Sequence, residues 1–255
     1  MIPRSIVLVA LLVGSSAVIP VTGATGDFLS AAIADPARPA ADTERDSNRK
    51  PAETLRFAGI APGQKIGELL PGGGYFTRIM AKAVGSTGHI YALVPAPLPD
   101  APANSPDFAA RVKALAADPN YSNVSVVVEP FAQLKTPEPL DMVWTSQNYH
   151  DLHNFPGLDV TVFNQMVFEA LRPGGIYLIL DHATAPGAGT SETQTLHRID
   201  PAVVKREVLA AGFVLVGESD LLRQPADPHT AKVFDPSIRG RTDQFILKFR
   251  KPGGA

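Results

Sequence analysis

The chain has 255 residues, with 23 Lys and Arg against 25 Asp and Glu and a formal net charge of −2 at pH 7. Acids and bases are interspersed, so there is no concentrated basic face to follow a phosphate backbone, which excludes a nucleic-acid partner. The sequence has no cysteine, which excludes disulfides, thiolate zinc sites and cysteine nucleophiles.

The N-terminal stretch reads as a targeting signal. Arg4 precedes the apolar run Ile6 to Val13, and small residues lead on to Thr22-Gly23-Ala24. A positive start, a short apolar region and a small-residue cleavage site predict that residues 1–24 are a signal peptide, removed near Ala24, and that the protein is exported to the periplasm or secreted. The alternative is a retained N-terminal membrane anchor. Gly14 and Pro20 interrupt the run, which falls short of the roughly 20 apolar residues that a span needs. No later segment is long enough to cross a bilayer. Residues 25–44 are rich in Ala, Pro and Asp and read as a loosely ordered arm, and residues 45–255 as one domain.

Strand-like and helix-like segments alternate from Arg45 onward. Pro51 suits a first helical turn, Leu55, Ala58 and Phe57 face a core, and Gly59 ends the helix. Lys65 to Leu69 reads as a strand. Phe76, Ile79, Met80, Ala83 and Val84 recur at helical spacing. His89 to Val94 is a second strand bounded by Gly88 and Pro95, and Phe108, Val112 and Leu115 again have helical spacing. The β-branched run Val124 to Val128 predicts a buried strand, and Met142 to Thr145 another. A helix carrying Phe163, Met166, Val167, Ala170 and Leu171 stops at Pro173-Gly174-Gly175, and Ile176 to Leu180 is the fifth strand. Asp200 caps and Pro201 opens a helix that Gly212 closes. Phe213 to Val216 and Gln244 to Phe249 are the last two strands, with no helical pattern between them. The predicted fold is α/β: a doubly wound, mostly parallel seven-stranded sheet with an antiparallel last strand. Ligands of such sheets bind outside the carboxyl ends of the strands.

One such end carries glycines. In Ile66-Gly67-Glu68-Leu69-Leu70-Pro71-Gly72-Gly73-Gly74-Tyr75-Phe76-Thr77 a strand runs into consecutive glycines and then a helix. Glycines let the backbone approach a ligand closely, and the helix N-terminus offers free N–H groups. The run Glu68 to Gly74 resembles the first motif of class I S-adenosylmethionine-dependent methyltransferases, an acid and a hydrophobic residue followed by G-x-G-x-G. Leu171-Arg172-Pro173-Gly174-Gly175 before a strand resembles the same family's late motif. Three further strings, Arg45 to Pro51, Asn148 to His153 and Leu196 to Asp200, resemble a subgroup of exported methyltransferases of unassigned substrate. The resemblance covers roughly residues 45 to 250.

It implies S-adenosyl-L-methionine as cofactor and a small-molecule acceptor, with the cofactor's methionyl part on the loop at Glu68, Pro71, Gly72, Gly73, Gly74 and Tyr75. The sequence departs from the family pattern in three places. Leu70 stands where the first glycine usually is, and Val94 where a ribose-binding acid is expected, the next acid being Asp100. Glu129, before Pro130, is one position away from where an acid often meets the adenine amine.

A polar cluster follows the fourth and fifth strands: Asn148, Tyr149, His150, Asp151 and His153, then Asp181 and His182. Methyl transfer requires alignment and, for an oxygen or nitrogen acceptor, removal of a proton, which a histidine can accept near neutral pH. His150 or His153 is the candidate base, with Asp181 or Asp151 to orient it, and His182 completes the catalytic set. The plainer reading makes each loop histidine a turn or cap residue. Two other functional readings remain open. One is a non-catalytic binding protein on the same fold, favoured by Val94 and by export away from the cytosol, where the cofactor is made. The other is a metal-dependent enzyme that uses His150, His153, Asp181 and His182 as ligands, although H-x-x-H is a loose pattern and designates no metal site by itself.

Overall fold

The computed structural model describes residues 27–97, 102, 104 and 107–253. The predicted signal peptide 1–24 and Asp100 lie outside these residues. Seven segments pair into one sheet: β1 (Lys65–Leu69), β2 (His89–Pro95), β3 (Val124–Glu129), β4 (Leu140–Ser146), β5 (Leu171–His182), β6 (Val214–Ser219) and β7 (Gln244–Arg250). Their spatial order is β3-β2-β1-β4-β5-β7-β6. β1 to β5 pair in parallel, and β7 runs antiparallel between β5 and β6. The chain winds outward from β1 to β3, then returns to start again at β4 beside β1. The two windings part between β1 and β4, so a crevice opens at their carboxyl ends.

Nine helices are described: α1 (Asp27–Ile33), α2 (Ala40–Thr43), α3 (Asp46–Arg49), α4 (Pro51–Ala58), α5 (Tyr75–Val84), α6 (Ala110–Ala116), α7 (Tyr149–Leu152), α8 (Val160–Ala170) and α9 (Pro201–Ala210). Side chains alternate across the strands and feed two cores. On one face, Ile66, Met142, Trp144, Leu178 and Ile246 meet Leu29, Leu55, Phe76 and Ile79 of α1, α4 and α5. On the other, Val143, Tyr177, Ile179 and Leu247 meet Phe163, Val167, Val204 and Val208 of α8 and α9. Asp200 caps α9 through the Ala202 amide at 2.8 Å, with Pro201 at its first turn. Among the described residues no helix is long and apolar enough to cross a membrane.

Four expectations need correction. The supposed loose arm is folded from Asp27: Leu29 and Ala32, three residues apart on α1, are buried against α4 and α5, and the Arg38 guanidinium is bridged to Asp46 at 2.6 Å. Alanine- and proline-rich composition disguised an apolar face only one helical turn long. β3 is an edge strand, not a buried one, with Val128 and Glu129 exposed. β-branched residues suit a half-covered pleat as well as a buried one. Phe108 lies outside α6 and is 69% exposed. The fifth strand starts at Leu171, directly after α8, and carries Pro173-Gly174-Gly175 through a register shift opposite Leu140 and Met142.

Candidate functional site

At the end of β1 the backbone turns sharply. Leu70, in the position the family fills with glycine, adopts a left-handed conformation at φ 50°. Asn148, at the start of α7, holds it there by donating from Nδ2 to the Leu70 carbonyl at 2.9 Å and the Leu69 carbonyl at 3.3 Å. The loop then opens a cavity of about 590 Å³, within the size range of small-molecule sites. Glu68, Pro71, Gly72, Gly73 and Tyr75 all line it. A Cβ added to Gly72 would meet nothing within 4 Å, and one on Gly73 would meet only the end of Arg111 at 4.0 Å, so their backbone faces open space. Gly74 differs from the expectation. It sits at the N-cap of α5 with φ 81°, and a Cβ there would come within 2.5 Å of Leu115 on α6. Its lack of a side chain serves helix packing rather than the cavity.

An acidic and a basic side chain border this cavity, neither in an ion pair among the described residues. The Glu68 carboxylate is buried and accepts a hydrogen bond from Thr77 Oγ1 at 2.5 Å, and burial pushes its pKa up to about 8. Arg49, at the end of α3, lies with its guanidinium 4.6 Å from the Tyr75 ring centre and donates to Gln147 Oε1. Burial, reinforced by repulsion from Arg45, lowers its pKa to about 10. Among the described residues neither Glu68 nor Arg49 forms an ion pair, whereas Arg38 is bridged to Asp46, and Arg45 and Arg78 to Asp42. Tyr75 joins the same wall by donating from its hydroxyl to Asp46 Oδ1 at 2.6 Å. The sequence reading of 25–44 as a loose arm leaves out Arg38 and Asp42 of this wall, and the resemblance of Arg45 to Pro51 assigns no role to Arg45, Asp46 or Arg49. The acid–base spacing of Arg38, Asp42, Arg45, Asp46 and Arg49 was the available signal.

Leu70 and Asn148 separate the first cavity from an apolar one of about 350 Å³, lined also by Pro95, Phe108 and Phe155. The end of β2 offers Val94 and Pro95 and no acid there, and Glu129 is exposed and lines neither cavity. A third cavity, about 260 Å³, adjoins the first across Arg45, Arg49 and Gln147 and is otherwise lined by Asn48, His182, Phe234, Arg239 and Gln244.

The histidines divide. Asp181, fully buried at the end of β5, accepts from the His150 amide at 2.7 Å, the His182 amide at 2.7 Å and His150 Nδ1 at 2.9 Å. Burial lowers the His150 pKa, but the Asp181 charge and the bonds to Asp151 and Asp181 outweigh it and raise the value to about 10. His182 is buried, which lowers its pKa to about 3; its Nδ1 is 2.8 Å from Thr242 Oγ1, and the residue borders the third cavity. His153 does not join them. Its Nε2 lies 3.3 Å from Glu207 Oε2 on α9, at an angle that makes no hydrogen bond. The predicted quartet therefore forms no common ligand set, with His153 turned to α9 and His182 to Thr242. His197, within the Leu196 to Asp200 string, comes to the His150 ring instead, at 5.4 Å between ring centres.

No protein-family model and no curated protein matches the sequence. Solved structures do match. An S-adenosylmethionine-dependent methyltransferase from Aquifex aeolicus superposes with a TM-score of 0.54 over 81% of this chain and 97% of its own, at 15% identity. The chain has the fold of the S-adenosylmethionine-dependent methyltransferases. A protein from Galdieria sulphuraria described as a candidate sarcosine dimethylglycine methyltransferase superposes with a TM-score of 0.58 at 17% identity, over 81% of this chain and 85% of its own. The [4+2]-cyclase SpnF also matches, with a TM-score of 0.56 at 17% identity over 84% of this chain and 82% of its own. At such identities the likeness establishes the fold, and activity has to be argued from the site.

Proposed function

We propose that the protein transfers a methyl group from S-adenosyl-L-methionine to a small polar acceptor. The observation that carries the proposal is that the buried Glu68 carboxyl and the half-buried Arg49 guanidinium, neither in an ion pair among the described residues, border one cavity beside an open glycine backbone. Burial keeps Glu68 protonated and leaves Arg49 without a full counter-charge, so a ligand bearing both signs would stabilise the Glu68 carboxylate and pair with Arg49. The amino-acid end of the cofactor is such a ligand, its carboxylate suited to Arg49 and its ammonium to Glu68. Gly72 and Gly73 let it approach the backbone, and the apolar cavity at Pro95, Phe108 and Phe155 suits a flat nucleobase.

When bound, the cofactor supplies an electrophilic methyl group. The chain's own task is then to orient an acceptor and exclude water. The third cavity is the acceptor site in this reading. Its Asn48, Gln244 and Arg239 provide polar contacts, and Arg49 and Gln147 form the wall it shares with the cofactor cavity. Of the expected catalytic residues His182 is the one facing this cavity, and it takes the acceptor's hydrogen bond, while Asp181 holds its backbone in place. We further propose export, on the strength of the signal-like residues 1–24.

Calorimetric titration with S-adenosyl-L-methionine and its demethylated product tests the reading. We expect saturable binding, weakened about 10–100-fold in Arg49→Met, the worth of one charge-assisted hydrogen bond of ~1.5–3 kcal/mol. Wild-type protein that binds neither compound would favour a binding protein that kept only the fold, a reading supported by the absence of an acid at Val94 and Pro95.

A further inference from the structure

Beside the cavities, three donor atoms from two separate segments converge on one point. His150 Nε2 is 3.3 Å from Asp151 Oδ1 and 3.4 Å from His197 Nδ1, and His197 Nδ1 is 3.7 Å from Asp151 Oδ1. We propose that His150, Asp151 and His197 form a binding site for a divalent transition-metal ion of the zinc type, with one coordination position left open. The site lies outside the proposed cofactor and acceptor cavities except at Asp151, and metal binding there is independent of methyl transfer.

The distances carry the argument. Zinc bonds nitrogen at about 2.0–2.1 Å and carboxylate oxygen at about 2.0–2.2 Å, so tetrahedral neighbours lie about 3.3–3.5 Å apart. The observed triangle needs only a few tenths of an ångström of adjustment along one edge. Two imidazoles and one carboxylate suit zinc and its neighbours rather than magnesium or calcium, which prefer oxygen throughout. Three protein ligands leave a fourth position free, and Asp151 also borders the 350 Å³ cavity, so that position is within reach of a small molecule.

The surroundings are those of a prepared site. His150 Nδ1 points at Asp181, 2.9 Å away, which commits one ring nitrogen to a buried carboxylate and directs Nε2 at the site. Asp181 is itself fixed by two backbone amides. The segment that carries His197 is tied to the end of β5: the Ile199 amide donates to the His182 carbonyl at 3.0 Å, and the Thr184 amide to the Ile199 carbonyl at 3.1 Å. Next to it the buried Arg198 guanidinium bonds the Ala183 carbonyl and Asp227. His197 sits in the left-handed region at φ 57°, a conformation that non-glycine residues hold only where the surroundings enforce it. Asp151 and Asp181 flank His150, so their combined charge favours a cation at Nε2, whether proton or metal.

The test uses the full chain, stripped with chelator, titrated with Zn²⁺ by calorimetry and with Co²⁺ by absorption spectroscopy. We expect one equivalent of Zn²⁺ and the ligand-field bands of a four-coordinate Co²⁺ site. His197 and Asp151 are partly exposed, so His197→Ala and Asp151→Asn should stay folded, as circular dichroism will show, while each loses at least 100-fold in Zn²⁺ affinity. Asp181→Asn should lose about 10–100-fold, as outer-shell partners do. His153→Ala, at the Glu207 side, should bind as the wild type does. Absence of Zn²⁺ binding by the wild type, or unchanged affinity in folded His197→Ala, would overturn the site, and loss of affinity in His153→Ala would move the metal elsewhere. None of these outcomes bears on cofactor binding, which the separate titration decides.

Discussion

Replacing Glu68 by Gln gives a sharp test of the electrostatics at the cavity. The carboxyl is fully buried, accepts a hydrogen bond from the Thr77 hydroxyl and has its pKa raised from the ordinary 4.5 to about 8, burial outweighing the attraction of Arg49 and Arg78. The folded protein therefore keeps a proton on Glu68 that the unfolded chain has released, between pH ~4.5 and ~8. Stability from this group is fully present below the unfolded value and falls as pH rises through the folded one. Each pH unit costs about 1.4 kcal/mol, so the full interval amounts to roughly 5 kcal/mol. Glutamine copies the protonated shape and has no proton to lose. Urea unfolding of both proteins at unit steps from pH 5 to pH 9 should show Glu68→Gln gaining on the wild type by about 1.4 kcal/mol per unit up to pH 8, then holding level. Other titrating groups cancel in the difference. Parallel stability curves for the two proteins would refute the reasoning. A cationic ligand group beside Glu68 would reverse the penalty, so cofactor binding near pH 7 should release close to one proton, read as a dependence of binding heat on the buffer's ionisation enthalpy.

The two glycines of the loop should separate in their effects. Gly73→Ala should leave stability within ~0.5 kcal/mol yet weaken cofactor binding at least tenfold, whereas Gly74→Ala should destabilise the fold by more than ~1 kcal/mol through its left-handed φ and the contact with Leu115. Equal urea midpoints for these two variants would contradict the assignment of Gly74 to packing. Arg198→Met should cost roughly 3–5 kcal/mol, because it leaves Asp227 buried without its partner, and a loss below ~1 kcal/mol would show that the pair does not hold the His197 segment. N-terminal sequencing of protein from the native host should begin close after Ala24, and a chain starting at Met1 or Ile2 would exclude cleavage.

Local periodicity fixed much of the architecture in advance. The i, i+3, i+4 spacing from Phe76 to Val84, the short apolar runs at Lys65–Leu69 and Met142–Thr145, and Asp200-Pro201 before a helix are signals that neighbouring residues alone produce, and each marks an element in the structure. The glycine run after β1 likewise announced a ligand-sized opening at a strand's carboxyl end. Side-chain direction and long-range pairing were not available from such signals. His150 and His153 stand three residues apart, yet one turns to Asp181 and the other to Glu207, and His197 reaches His150 only because its segment runs beside the end of β5. Val124 to Val128 has the composition of a central strand, and only the sheet order puts it at the edge. Arg49 reads as an ordinary surface base until packing half-buries it against Tyr75, on the same cavity as Glu68. Burial and distant partners determine the energy of a charge, and both are properties of the folded chain rather than of its local sequence.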